Sequence, residues 1–125
     1  MEETERKKIH SFTDLIAWKE GHKLVLMRYE ITGNFPQSEI FGLTNQMRRC
    51  VVSITSNIAE GFSRITNKEK AQFYSMALGS LTELQSQLYI ARDIKYISNE
   101  DFSKIATQTV LLSKLINGLK KIKYT

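Results

Sequence analysis

The sequence predicts an all-α protein, an antiparallel up-down-up-down four-helix bundle, and three observations carry that prediction. Four stretches repeat apolar residues at spacings of three and four, the period of one helix face. Helix breakers are scarce, since 125 residues contain one proline, Pro36, and six glycines. The polar stretches between the periodic segments are short, and short connections set neighbouring helices antiparallel. No stretch alternates with period two for long enough to argue a strand.

The first helix is expected over 14–32. Thr13 or Asp14 can cap it, and Leu15, Trp18, His22, Val25 and Tyr29 form its stripe. Asn34, Phe35 and Pro36 then turn the chain into a second helix over 39–63, with Ser38 as cap. Thr66 or Asn67 starts a third over 67–95, and Glu69 stands three residues after Thr66 as in a capping box. Its main stripe is Phe73, Ala77, Leu81, Leu84, Leu88 and Ala91, flanked by Tyr74 and Leu78. Ser98 and Asn99, followed by Glu100 and Asp101, start a fourth helix over 99–122, with acids where the helix dipole favours them. Phe102, Ile105, Thr109, Leu112, Ile116 and Leu119 line it. The bundle domain is expected over 13–125, after a flexible N-terminal segment, 1–12.

The second helix is the most informative. At about 100° per residue, Gln46, Arg49, Ser53, Asn57, Glu60 and Arg64 fall in a polar band roughly 80° wide. Met47, Cys50, Val51, Ile54, Ile58, Phe62 and Ile65 occupy the band beside it. The remaining sector holds Asn45, Val52, Thr55, Ser56, Ala59 and Ser63, with Arg48 as its one charge. A free surface helix fills that sector with Lys and Glu. Cover on more than one side is therefore expected, from the bundle core and from a subunit contact.

Composition narrows the function classes. With 42% hydrophobic and 25% charged residues, the chain reads as an ordinary globular domain. Residues 1–12 contain no apolar stretch of signal-peptide length, and no run approaches the ~18 apolar residues of a membrane span, so a cytoplasmic protein without a membrane partner is expected. Cys50 is the one cysteine, which excludes an intrachain disulfide and a cysteine-rich zinc site; on an apolar face it reads as inert packing. The net charge is +5, and 103–125 contains lysines but no acid. Such a surface suits a polyanion.

Enzyme chemistry finds little support. His10 and His22 lie 12 residues apart with no second ligand at metal spacing, so no metal and no cofactor is expected. Neither G-x-x-x-x-G-K-S/T nor G-x-G-x-x-G occurs, and Gly79-Ser80 lies mid-helix rather than on a nucleophile elbow. Glu60 and Glu83 could face each other, or face Arg49 and Arg64, with Ser53, Asn57, Ser80 and Gln87 completing a hydrogen-bonded network; Gln46 joins that structural polar set. Two carboxylates can do acid–base work or hold a cation. An ion-pair lattice that sets helix register is the simpler role. Gly61 and Gly79, inside helices, are expected where a neighbouring helix approaches closely. Candidate phosphate contacts are Arg64, Lys68, Lys70, Lys95, Lys104, Lys114, Lys120, Lys121 and Lys123. Lysines so loosely spaced suit phosphate contact without base reading.

Four blocks occur in a telling order: F-T-D-L-I-A-W at 12–18, F-P-Q-S-E-I-F-G-L-T-N-Q-M-R-R at 35–49, V-S-I-T-S-N-I-A-E-G-F-S-R at 52–64 and F-Y-S-M-A-L-G-S-L-T-E-L-Q-S-Q-L at 73–88. Together they resemble the bacterial four-helix-bundle proteins encoded in intervening sequences of 23S ribosomal RNA genes, and the related accessory variability protein of diversity-generating retroelements. The resemblance implies a ring-shaped homopentamer. It carries over Asp14, Trp18, Glu39, Gln46, Arg49, Ser53, Asn57, Glu60, Gly61, Arg64, Ser80 and Glu83. Thr55 stands where many relatives have proline, and the chain is less basic than the retroelement protein. The expected function is a non-enzymatic oligomeric bundle that binds RNA or DNA through a basic surface. The alternatives are a protein-interaction adaptor and an RNA-processing enzyme using Glu60 and Glu83.

Overall fold

The computed structural model describes residues 9–123, so the expectation for 1–8 lies outside the described residues. Four helices account for the fold: α1 (Ile16–Thr32), α2 (Leu43–Ser63), α3 (Asn67–Asp93) and α4 (Asn99–Lys121). Each packs against two neighbours, α1 on α2, α2 on α3, α3 on α4, and α4 back on α1. Contacts descend one helix as they climb the next. Ser53 meets Ser80 while Gly61 meets Tyr74; Gln85 meets Thr109 while Tyr89 meets Phe102. That pattern is the antiparallel order short connections demand.

Two helices begin later than the sequence suggests, for the same reason. Ahead of α1, Ser11 caps a single 3-10 turn, Phe12–Asp14, and the Asp14 carboxylate accepts from the His10 and Ser11 amides. Those bonds hold the Asp14 carboxyl below the usual aspartate range. Asp14 and Thr13 therefore belong to the turn, and α1 starts at Ile16. Ahead of α2, Pro36 leads into a second 3-10 turn, Gln37–Glu39, and α2 starts at Leu43. The Glu39 carboxylate accepts from the Leu43 amide at 3.1 Å and from the Tyr96 hydroxyl at 2.9 Å. One side chain thus caps α2 and ties it to the end of α3, and the same bond raises the Tyr96 pKa. Thr66 and Ser98 cap α3 and α4 as their sequences suggest.

The core centres on Leu24, Met47, Ile54, Ile58, Tyr74, Leu81, Leu84, Leu88, Ile105, Leu112 and Ile116, all fully buried. In α3 the ring at the centre is Tyr74, with Phe73 half-buried beside it. The larger correction concerns α1. Its buried face is Ala17, Gly21, Leu24, Arg28 and Thr32, while His22 and Tyr29 are exposed and Trp18 and Val25 half-covered. Gly21 is the cause, because a Cβ there would lie 3.1 Å from Thr55, so α1 approaches α2 on its small-residue side. Arg28, buried at the far end, donates from its guanidinium to the Thr44 carbonyl. Of the stripe expected from the sequence, His22 and Tyr29 consequently face outward, while Leu15 is buried and Trp18 and Val25 pack against the edge of the core; His22 stacks on Trp18 at 5.0 Å.

Candidate nucleic-acid interface

The nine candidate cations separate into three groups. Lys68, in the first turn of α3, and Lys120, in the last turn of α4, flank one shallow depression floored by Ala71, Ser75 and Met76. Antiparallel packing brings these ends together. Lys121 and Lys123 are exposed at the same end, and Lys114 lies exposed seven residues back from Lys121, on the same line of α4. Arg64 is there too, but Glu60 pairs with it at 2.7 Å and its guanidinium lies 4.7 Å from the Phe73 ring centre.

The second group sits at the opposite end. Lys104 is sixteen residues before Lys120, roughly 24 Å along the helix, and shares a groove with Glu30 and Asp101. Lys95 occupies the left-handed backbone position that closes α3, with φ 65°. The Tyr96 amide there bonds the Ala91 carbonyl at 2.8 Å, the reversal that ends many helices. Its role is in the backbone.

Lys70 forms the third group alone, and here the sequence expectation is corrected. Its side chain is buried, and its ammonium donates to the Phe62 carbonyl at 2.8 Å and the Gly61 carbonyl at 3.4 Å. Lysine at that point satisfies the last carbonyls of α2, where a cation meets the negative end of the helix dipole. Burial lowers its pKa. The turn between α2 and α3 folds Lys70 back over the helix end, which linear spacing cannot show.

The structural polar set also divides. Gln46, Arg49, Cys50 and Ser53 of α2 and Ser80 and Glu83 of α3 line a groove of about 430 Å³. Ser53 and Ser80 share a hydrogen bond of 2.8 Å, and the Asn57 amide donates to the Ser53 hydroxyl at 3.1 Å. Glu60 is elsewhere. It lies seven residues beyond Ser53 while Glu83 lies three beyond Ser80 on an antiparallel helix, which separates them by roughly 15 Å along the bundle. The two carboxylates do not meet. Among the described residues no cluster of three or more His, Cys, Asp or Glu side chains could hold a metal.

Cys50 is a free, buried cysteine at the base of this groove. Burial first, then the Glu83 charge, push the thiol up to about 11. At pH 8 roughly one thiol in a thousand is ionised. The folded chain is therefore expected to resist iodoacetamide at pH 8 and to label fully once unfolded in guanidinium, as mass spectrometry would show. Rapid labelling of the native chain would contradict the burial.

A family model described as the 23S rRNA-intervening sequence protein matches residues 13–118. The chain belongs to that family. No curated protein matches it. The crystal structure of a protein of unknown function from the S23 ribosomal protein family, from Bacteroides thetaiotaomicron VPI-5482, superposes with a TM-score of 0.77 at 18% identity, covering 86% of this chain and 96% of that one. At that identity the likeness concerns the fold. No helix among the described residues of this family member is long and apolar enough to cross a membrane.

Proposed function

We propose that this protein is a non-enzymatic, cytoplasmic, oligomeric bundle that associates with RNA through the end where α3 begins and α4 ends. The observation that carries the reading is the convergence of Lys68, Lys120, Lys121 and Lys123 at that end, while Lys95 and Lys104 sit at the other, Lys104 beside Glu30 and Asp101. Phosphate contact without base reading suits such a patch. The separation of Glu60 from Glu83 argues against a two-carboxylate enzyme.

A second copy is the partner the surface favours. Leu26, Tyr29 and Val52 are 56%, 53% and 41% exposed on the α1/α2 side, and Tyr89 and Val110, 53% and 49% exposed, border a separate α3/α4 groove. Two unlike apolar faces on one chain suit head-to-tail contacts, which form a ring when the rotation closes; the homopentamer implied by the family resemblance is such a ring. The adaptor reading draws on Phe41 and Ile65, 93% and 89% exposed at opposite ends of α2.

Binding of single-stranded RNA and of DNA across a salt series, with the oligomer mass measured on the same sample, tests the reading. A multimer whose affinity falls steeply with salt is expected. Absence of binding even at low salt would leave the adaptor.

A further inference from the structure

The groove between α2 and α3 has features the phosphate patch does not explain. Core packing normally brings apolar residues to the seam between two bundle helices. Here α2 supplies Gln46, Arg49 and Ser53, and α3 supplies Ser80 and Glu83. The floor is built rather than solvated: Cys50, which lines the groove, is 4% exposed. Gln87 is 5% exposed, and its carbonyl oxygen has no partner. Arg49 and Glu83 stand on facing helices, yet among the described residues neither is in an ion pair. At about 430 Å³ the groove falls within the range of small-ligand sites.

The charges narrow the ligand. A phosphate would meet the Glu83 carboxylate, and a metal ion would meet the Arg49 guanidinium. What satisfies both is a neutral planar group with paired donors on one edge and paired acceptors on the next. Among the bases of RNA, guanine alone offers two of each. Its N1–H and N2–H2 match a carboxylate, and its O6 and N7 match a guanidinium fork. The hydroxyl pair of Ser53 and Ser80 lies about one helical turn to the side, as adaptable donors and acceptors. Ser80 is twelve residues along α3 from Lys68, roughly 18 Å, within reach of a short single strand held at the basic end.

The geometry points to this groove as a binding site for one unpaired guanine, Glu83 taking the donor edge and Arg49 the acceptor edge. The inference rests on the RNA reading for its ligand class. The test is a titration of ¹⁵N-labelled protein with guanosine monophosphate and, separately, uridine monophosphate. Only the guanine nucleotide is expected to shift the amide signals of Ser53, Ser80 and Glu83. Glu83→Gln and Arg49→Ala change exposed side chains; circular dichroism is expected to show them folded, and both are expected to lose those shifts. In parallel, a single-stranded oligo-U carrying one central G is expected to bind about tenfold tighter than oligo-U. Glu83→Gln erases that margin and leaves oligo-U affinity unchanged. Equal shifts from both nucleotides, shifts confined to Lys68 and Lys120, or none at all would overturn the guanine site even if RNA binds. Guanine-specific shifts without binding of either RNA would support the site and remove the RNA reading.

Discussion

Replacing Lys68, Lys120 and Lys121 together by alanine is expected to lower RNA affinity by roughly 10²–10³-fold at 0.1 M salt. The magnitude follows from counterion release, in which each phosphate contact contributes about 0.7 to 0.9 to the slope of log affinity against log salt. Three lost contacts reduce that slope by about 2 to 3 and remove nearly as many decades at 0.1 M. All three residues are at one end, Lys68 and Lys120 around a single depression. The matched control is Lys95→Ala with Lys104→Ala, which removes two like charges from the other end, one beside Glu30 and Asp101. Little change is expected there. If the triple variant and the control lose affinity alike, binding is diffuse and the basic end is not the site. Lys70 is left out deliberately, because its ammonium caps α2 and its loss would confuse folding with binding.

Gly61→Val is expected to destabilise the fold by about 3 kcal/mol, the upper end for overpacking a filled core. A Cβ at Gly61 would lie 2.6 Å from the Tyr74 Cε1 atom, 2.9 Å from its Cδ1 and 3.2 Å from the Phe73 Cβ. Tyr74 is fully buried and has nowhere to retreat, and α2 with α3 forms the most extensive helix pair in the bundle. Thermal unfolding would read this as a clear drop in Tm. Gly79→Ala should act in the opposite direction. Nothing lies within 4 Å of a Cβ there, so replacing helical glycine by alanine is expected to add about 1 kcal/mol. The close approach expected at Gly79 from the sequence is therefore absent within one chain. A destabilised Gly79→Ala protein would show that another copy covers the outer face of α3.

That pair of glycines shows how far the sequence could be read. Glycine inside a helix announces a cost, and Gly61 has its compensation in Tyr74. The cost at Gly79 looks identical in the sequence, and only the position of the neighbouring helices distinguishes the two. The candidate site behaves likewise. Lysines could be counted along 103–125, but Lys104 and Lys120 end up at opposite ends, and Lys68 joins Lys120 from a different helix. Glu39 and Tyr96 are 57 residues apart, and no local pattern pairs them.

The sequence by itself determined the four helices, the α3 and α4 caps at Thr66 and Ser98, and the polar seam along α2, because these depend on neighbours within a few residues. Tertiary structure alone decided which stripe of α1 is buried. Its aromatic and small-residue stripes both repeat with helical period, and a helix carrying two such stripes has no local reason to prefer one. Gly21 lets α2 approach the small one, which leaves Tyr29 and His22 exposed and Trp18 half-covered. The same holds for Lys70 turning inward and for Glu60 and Glu83 lying apart: antiparallel packing sets which distant residues share a level, and that is a property of the assembled bundle.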